Sequence, residues 1–311
     1  KFGLHYDKIF KTGMLLNATA KRLLFRNSII SLDVVIGDKP RYYFNYFIDN
    51  GYIPGFGVYA SGMTLDLKNV DSNIYQRWNW FRNDVFIQSV WRDKFAIGGG
   101  LSHDYFESKT VGSAVFSDGR NFLNPYVFIR SDTQDDKGFP TRGFTLNAES
   151  KLLDLLVNDE KGSTIQTKIT TQINFPFTDW FTYRLGLFGG FTVGEVLNDY
   201  YLFRIGGIFD QKVGNFTRFS GYEFGQLGAK NMLTNINTFQ FKVYKNYFIN
   251  ADFSIANLFN DLKVDDLIHI SESSAGLTAG YKSPFGQVKL NYSRSFTNKN
   301  NIFSVILGHW F

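Results

Sequence analysis

The sequence lacks the features on which several classes of protein depend. None of its 311 residues is a cysteine, which excludes a disulfide framework and cysteine-ligated metal sites. No apolar run approaches the ~18 residues that a transmembrane helix needs. The net charge of +5 is small and scattered, so nucleic acid is not an expected partner. Metal-ligand spacing is absent among His5, His103, His269 and His309, and we predict no cofactor.

The chain is rich in aromatic residues and in alternating patterns. Phe, Tyr and Trp make up 18% of it, and the mean hydropathy is −0.17. In residues 164–175, TIQTKITTQINF, one face carries Gln166 and Lys168 and the other carries Ile165 and Ile169. This period of two predicts β-strands with one polar and one apolar face. Alternation also hides the hydrophobicity of a transmembrane barrel from an average over the chain.

Runs of this kind divide the chain into about sixteen strands, an even number typical of bacterial outer-membrane barrels. Their approximate spans are 2–8, 13–22, 28–37, 41–49, 54–66, 83–92, 94–105, 121–131, 142–153, 164–175, 180–192, 232–244, 247–258, 274–282, 286–295 and 302–311. The long connections, 67–82, 106–120, 193–231 and 259–273, all fall at one end. Such barrels have long surface loops and short periplasmic turns, so the first strand is expected to leave the periplasm. We therefore predict an all-β fold, a single transmembrane antiparallel β-barrel over residues 1–311.

A soluble β-sandwich or propeller would also have alternating strands. The final strand, IFSVILGHWF, favours a membrane barrel instead. One of its faces carries Phe303, Val305, Leu307, His309 and Phe311, and the chain ends on an aromatic residue, as outer-membrane barrels typically do. This ending resembles the insertion signal that the barrel assembly machinery recognises. We therefore predict the outer membrane of a Gram-negative bacterium, with lipid and lipopolysaccharide as surroundings.

Several segments, in their order along the chain, resemble the BamA-type superfamily of outer-membrane assembly and secretion barrels, the bacterial surface antigen family. DDKGFPTRGFTLNAE at 135–149 is similar to the turn and strand that enter the second half of those barrels. The long connection contains LFRIGG at 202–207 and FSGYEFGQLGAKNM at 219–232. The end of the chain runs from FSIANLF at 253–259 through SPFGQVKLNYSRS at 283–295 to the terminal strand.

This resemblance implies an organisation and a function. In the family, the long loop between strands 11 and 12 folds back into the lumen, so residues 193–231 are expected to do the same. The first and last strands are expected to pair at a weak seam, and the seam and the loop are the parts expected to move. The implied function is a non-catalytic translocator, assembly factor or membrane anchor. Its partners would be polypeptide cargo or other outer-membrane subunits.

Within the superfamily, the sequence looks most like the barrel half of patatin-like phospholipases, whose lipase domain lies upstream and reaches the outer membrane with the barrel. That arrangement is a form of type V secretion. The G-x-S-x-G nucleophile motif of the lipase is absent from this sequence, so the chain itself is predicted not to be an enzyme. No signal peptide precedes Lys1, and we interpret the chain as a mature or excised segment whose upstream periplasmic or passenger domains are missing.

The sequence departs from the family at the loop motif. The family commonly has Arg-Gly-Tyr or Arg-Gly-Phe, with the Arg paired to an acidic residue of the lumen. Here Ser220 stands at the Arg position before Gly221 and Tyr222, and Ser254 stands where an Asp is common. Loss of both partners together avoids a lone charge in a partly dehydrated lumen.

We expect the loop to fold inward despite this departure. The residues expected to hold it are Tyr222, Glu223 and either Arg218 or Arg204, with Asp252 as a candidate partner on the facing strand. The predicted loop motif comprises Arg204, Gly206, Gly207, Arg218, Phe219, Ser220, Gly221, Tyr222 and Glu223, and the candidate wall residues are Asp252 and Ser254.

Other interpretations stay open at this point. A passive porin-like channel for small polar solutes would use the same fold, and fold alone does not decide function. Charges of both signs on the lumen face suit a conduit or a wall that pairs its own charges. A hydrolase on the wall would depend on geometry that sequence does not give. Trp78 and Trp80, in a predicted surface loop, suit an interfacial girdle or a carbohydrate-binding stripe.

Overall fold

The computed structural model describes residues 2–7, 11–68, 74–92, 94–111, 119–153, 164–196, 198–208, 214–262, 267, 269–284 and 286–308. The strands within these residues are β1 Phe2–Asp7, β2 Lys11–Lys21, β3 Ser28–Gly37, β4 Arg41–Ile48, β5 Gly55–Lys68, β6 Tyr75–Trp91, β7 Phe95–Thr110, β8 Arg120–Asp132, β9 Gly143–Leu153, β10 Thr164–Pro176, β11 Phe181–Val193, β12 Phe203–Ile205, β13 Phe216–Thr217, β14 Leu227–Ala229, β15 Asn231–Tyr244, β16 Tyr247–Phe259, β17 Glu272–Ser283, β18 Gly286–Ser295 and β19 Asn301–Gly308. Sixteen of these described strands form an antiparallel β-barrel, and β12–β14 form a small sheet inside the connection between β11 and β15. The prediction of about sixteen barrel strands, with a long connection after the eleventh, is confirmed.

The strands pack as two compact units. The first contains residues up to Ser131 together with Ala148–Gln166, and it is built mainly on β1–β8. The second contains Asp132–Asn147 and Thr167–Gly308, which include β11, the long connection and β15–β19. Both units are antiparallel meanders in which consecutive barrel strands pair. The candidate site lies wholly within the second unit.

Alternating side chains give each barrel strand an outward and an inward face. In β17 the outward Leu277 is 56% exposed, whereas the next residue, Thr278, is 6% exposed. Large apolar side chains exposed at regular intervals need apolar surroundings, and the outer membrane supplies them. No helix in the described part of the chain has the length and apolar character to cross a membrane.

The final strand shows the same alternation. The outward Phe303 and Leu307 are exposed, and Ile306 between them is buried. Of the predicted insertion signal, Phe303, Val305 and Leu307 lie in β19, whereas His309 and Phe311 lie outside the described residues. The role of this face as an insertion signal stays a prediction.

The connections define two ends, which we call the short-connection end and the long-connection end. The described residues of the short-connection end are 22–27, 49–54, 92, 94, 133–142, 177–180, 245–246 and 284. Aromatic side chains cluster there: the rings of the exposed Tyr247 and the half-buried Tyr281 are 4.6 Å apart, and those of the exposed Trp180 and the half-buried Phe241 are 6.2 Å apart. Amphipathic rings at strand ends are typical of the girdle at a membrane interface. The loop lengths predict that this end faces the periplasm, and the orientation stays a prediction.

The predicted surface loops at 67–82 and 106–120 are wrong in their extent. β5, β6 and β7 continue into these segments as paired strands. The alternation in this region has the opposite polarity from the pattern expected within a membrane, with apolar side chains facing inward. The predicted spans 54–66 and 94–105 therefore end before β5 and β7 do, and the predicted span 83–92 begins after β6 has begun.

Trp78 and Trp80 illustrate this reversal. They lie on the inward face of β6 and are 3% and 4% exposed, with Trp78 opposite Leu65 of β5. The outward face carries the ion pair between Arg77 Nε and Asp66 Oδ1, at 2.8 Å. Polar residues outside and apolar residues inside suit a hairpin that extends beyond the bilayer into water. Buried in this way, the two tryptophans form neither an interfacial girdle nor an accessible carbohydrate-binding stripe.

Candidate functional site in the inward-folded loop

The connection between β11 and β15, which we call the long loop, has a compact structure of its own. It contains a 3-10 turn at Asp199–Tyr201, where the N–H of Tyr200 donates to Asn198 Oδ1 at 2.9 Å. β12 pairs with β13 in parallel and with β14 in antiparallel orientation. These pairings satisfy backbone groups that burial would otherwise leave without partners. The long loop can therefore be buried without a large polar cost.

The apolar side of the long loop packs on the inward face of the wall. Phe203, Ile205 and Phe219 are 0% exposed. They form one core cluster with Phe188, Tyr222, Met232 and Ala256. The rings of Phe188 and Phe203 meet edge to face at 5.6 Å, and a Cβ at Gly190 would lie 2.7 Å from the Phe203 ring. The prediction that this loop folds inward is confirmed.

The two motifs LFRIGG and FSGYEFG lie against each other in the long loop. The N–H of Gly207 donates to the carbonyl of Tyr222, and the N–H of Phe219 donates to the carbonyl of Gly207, both at 2.9 Å. Gly206 has a φ of +136°, and a Cβ there would lie 1.8 Å from the carbonyl oxygen of Glu223. Only glycine permits this approach. The structure thus joins motifs that the sequence presents separately.

Arg204 and Glu223 lie within this folded motif. Arg204 is 0% exposed, and its Nη1 donates to the carbonyl of Gly225 at 3.2 Å. The backbone N–H of Glu223 donates to Gln226 Oε1 at 2.8 Å and closes the turn. Because a buried guanidinium needs polar partners, Arg204 stabilises the shape of the motif around it. We propose that Arg204 and Glu223 maintain the shape in which the long loop binds to the wall.

Hydrogen bonds attach the tip of the motif to β17 and β18. The N–H of Gly221 donates to Ser293 Oγ at 3.0 Å. The Tyr222 hydroxyl donates to the Glu272 carboxylate and accepts from Ser295 Oγ at 2.6 Å. Gly221 has a φ of +82°, and a Cβ there would lie 2.6 Å from the backbone nitrogen of Ser295. The close approach of loop and wall therefore requires glycine at this position.

Tyr222 remains a hydrogen-bond donor at physiological pH. Burial, and then its hydrogen bond to Glu272, raise the pKa of Tyr222 to about 12. Sequence reasoning identified Tyr222 but missed Glu272, Ser293 and Ser295, the wall residues that bind this motif. The sequence carries only a weak signal for these wall residues, because hydroxyl side chains at alternate positions of β18 are typical of the polar inward face of any barrel strand.

The two serines predicted to stand in place of a charged pair line one small cavity. Ser220 and Ser254 both border a space of ≈ 40 Å³ between the long loop and the wall. Ser220 Oγ lies 3.3 Å from Ser274 Oγ. Neutral hydroxyl groups can occupy such a space at a lower desolvation cost than an ion pair. The two serines therefore lie together in the structure, and their interpretation as a joint replacement of a charged pair stays a prediction.

Arg218 and Asp252 line the same cavity. Asp252 accepts a hydrogen bond from the Thr238 hydroxyl. The direct pairing of Arg218 with Asp252 stays a prediction. A further attachment comes from Lys168 of β10, whose Nζ donates to the carbonyl of Gly214 at 3.1 Å.

The chemistry of this site is that of binding and release. Its described contacts are one apolar cluster and hydrogen bonds from hydroxyl, carboxylate and backbone groups. Among the residues that the structure describes, no group of three or more His, Cys, Asp or Glu could hold a metal ion. These contacts can be broken and remade without a chemical reaction, so the long loop is suited to reversible docking.

Comparisons with known proteins support the fold. Over 100% of this chain and 69% of the other, the structure resembles "The crystal structure of BamA from Haemophilus ducreyi lacking POTRA domains 1-3", with a TM-score of 0.75 and 13% identity. It resembles CdiB from Acinetobacter baumannii with a TM-score of 0.66 and 14% identity, over 99% of this chain and 60% of that one. For CdiB from Escherichia coli the TM-score is 0.68 and the identity 11%, over 99% and 62%. No curated protein matches the sequence.

A family-level match covers the whole sequence. The chain spans 60% and 62% of the two CdiB chains, so those proteins extend beyond the part it resembles. The family model described as the OMP85 superfamily matches residues 1–311. The chain is an outer-membrane β-barrel and belongs to the OMP85 superfamily.

Proposed function

We propose that this chain is a non-catalytic translocator, assembly factor or membrane anchor that inserts, exports or displays a polypeptide. Membership of the OMP85 superfamily supports the proposal. The order of the three sequence segments, which resembles assembly and secretion barrels, supports it further. The finer resemblance to patatin-like phospholipases makes an upstream lipase domain the first cargo to test. Other outer-membrane subunits are the second class of partner.

The observation that carries this proposal is the docking of the long loop on the inward face of the second unit. Phe203, Phe219 and Tyr222 are at most 1% exposed there. A porin needs a water-filled inward face, whereas a conduit that opens on demand is closed at rest. The attachments are non-covalent, so a polypeptide entering the barrel can displace the long loop.

The alternative is a passive porin-like channel for small polar solutes. It draws on the polar inward face of the first unit, where Arg82 pairs with Asp84 at 2.8 Å and Lys151 pairs with Glu149 at 3.4 Å. Within these two pairs the charges neutralise one another, so neither pair favours a solute of one sign. We therefore favour the interpretation in which the wall pairs its own charges and the long loop regulates passage.

Site-specific photo-crosslinking in the outer membrane of a Gram-negative host tests the proposal. A photoreactive amino acid replaces the inward Thr278 or, as the matched control, its outward neighbour Leu277. A translocator gives polypeptide adducts at position 278 that exceed those at position 277. Equal adducts at both positions, with a steady ion conductance of the purified barrel, would reject translocation and support the porin.

We assign no catalytic activity to this chain. The purified barrel is expected to hydrolyse a fluorogenic phospholipid no faster than detergent micelles alone. Turnover that follows barrel concentration and survives removal of co-purifying proteins would contradict this assignment. Such a result would direct attention to a hydrolase site on the wall.

A further inference from the structure

The connection from β8 to β9, residues 133–142, is the longest that the structure describes at the short-connection end. It also folds inward, since Phe139 is buried against Gly280 on the inward face of β17. Two aspartates shape it. Asp135 Oδ1 accepts from the N–H of Thr141 at 2.9 Å, and Asp136 Oδ1 accepts from the N–H of Phe139 at 2.9 Å. Side chains that bond to nearby backbone N–H groups fix the course of a turn. This segment, which we call the β8–β9 turn, therefore has a defined shape.

Phe139, in the β8–β9 turn, fills a slot in the inward face of β16, β17 and β18. It is 2% exposed, and its ring is parallel to that of Phe248 with the centroids 4.4 Å apart. Lys289 Nζ lies 5.1 Å from the centroid of the Phe139 ring. A Cβ at Gly280 would lie 2.4 Å from the same ring, so glycine leaves the space that the ring occupies. The slot thus fits one aromatic side chain.

Polar contacts hold the β8–β9 turn around this ring. Asp136 forms an ion pair with Lys282, and Gln240 Nε2 donates to the carbonyl of Pro140 at 3.1 Å. Burial raises the pKa of Asp136, but the hydrogen bonds from Lys282 and from two backbone N–H groups of the turn outweigh it and hold the pKa below its ordinary value. The ion pair is therefore present at neutral pH.

The β8–β9 turn and the long loop contact different parts of the same strands. β15 contacts the long loop at Met232 and the turn at Gln240. β18 binds the long loop through Ser293 and approaches the turn through Lys289. The small polar cavity adjoins both regions, since Lys289 lines it together with Arg184, which donates to Gln240 Oε1 at 3.2 Å. Two inward-folded segments are thus arranged along one wall.

We propose that the β8–β9 turn is a second plug, on the periplasmic side, which closes the barrel independently of the long loop. Phe139 packs against Phe248, Gly280 and Lys289, which belong to the wall and not to the long loop, so the ring has a binding slot of its own. The biological use of the plug rests on the proposed function, because a polypeptide crossing the barrel would have to displace both segments. Opening at the surface alone does not open the barrel.

Single-channel conductance of the whole chain in planar lipid bilayers tests this proposal. Four forms are compared: the natural chain, Phe139→Ala, a variant with residues 198–229 replaced by a short Gly-Ser linker, and the combination. Loss of the buried ring should raise the ratio of released to docked turn by about a hundredfold or more. We expect low conductance in the first three forms and a large stable pore only in the combination. Phe144→Ala, an exposed aromatic in β9, is the matched control and should not open the loop-deleted barrel.

A reversible cross-link gives an independent test within one folded molecule. Asp136→Cys and Lys282→Cys are added to the combined variant and joined by a reducible bifunctional thiol reagent. The cross-link should close the pore, and reduction should reopen it. A full pore in the loop-deleted barrel with Phe139 intact would overturn the second plug, as would a combined variant that stays closed. Loss of polypeptide adducts at position 278, with this conductance pattern unchanged, would reject translocation but keep the plug.

Discussion

Removal of the Tyr222 hydroxyl tests the attachment of the long loop with little change in shape. In Tyr222→Phe the ring stays in the core cluster, but Glu272 loses a donor and Ser295 loses an acceptor. A hydrogen bond to a charged group contributes about 1.5–3 kcal/mol, and an unsatisfied buried hydroxyl such as that of Ser295 costs about 1 kcal/mol. Glu272 is only partly buried, so water replaces some of the lost bond. We therefore expect docking of the long loop to weaken by about 2–3 kcal/mol.

Hydrogen exchange under native conditions measures this docking free energy. The backbone N–H of Gly221, which donates to Ser293 of the wall, should show exchange rates about 30- to 150-fold higher in Tyr222→Phe. This ratio is the same free energy expressed as a rate. Tyr244→Phe changes an exposed tyrosine near the short-connection end and should leave these rates unchanged. Equal rates in the natural chain and in Tyr222→Phe would refute the attachment that we describe.

Three further predictions concern the wall, the turn and the lipid face. Gly190→Val places a Cβ 2.7 Å from the Phe203 ring and should weaken docking of the long loop by about 1–3 kcal/mol, measured as faster protease cleavage of that loop. In the control Gly189→Val the Cβ meets its neighbours at 3.4 Å or more, so cleavage of the long loop should not change. The folded-state pKa of Asp136 is lowered, so docking of the β8–β9 turn should be fully stabilised above the ordinary aspartate pKa of about 4 and lost progressively below it. The pKa of Asp135 in the same turn is also lowered, so Asp136→Asn should reduce this pH dependence, measured by proteolysis across pH, without abolishing it. Leu277→Arg puts a charge on the lipid face and should lower the free energy of unfolding by about 2–4 kcal/mol, measured by urea titration of the barrel in vesicles. An unchanged free energy of unfolding would show that this face does not contact lipid.

The barrel strands were predictable because the bilayer imposes opposite polarities on their two faces. β10, at Thr164–Pro176, differs by one residue from the predicted span of 164–175. The extensions of β5 and β6 were not predictable in the same way, since Leu65 and Trp78 face inward and the polar residues face outward. Outside the bilayer the constraint that produces the pattern is absent.

The attachments of the long loop show where reasoning from sequence ends. Its position followed from the family resemblance, and the structure confirms the inward fold. Its partners on the wall did not follow, because Ser293 and Ser295 share period two with every other polar inward residue. The slot for Phe139 was missed for a related reason, since the ring and Gly280 are distant in sequence and meet only after the wall has formed.

A designed disulfide tests the docked long loop most directly. The chain has no cysteine, and the Oγ atoms of Ser220 and Ser274 are 3.3 Å apart, so cysteines at these two positions would bring their sulfur atoms close together. The account predicts that Ser220→Cys with Ser274→Cys cross-links spontaneously in the oxidising environment of the outer membrane, and that the bond abolishes polypeptide adducts at position 278 until it is reduced. The control, Ser220→Cys with Ser273→Cys, uses the outward neighbour and should stay reduced. No disulfide in the inserted barrel, or equal cross-linking in both pairs, would contradict the docked loop.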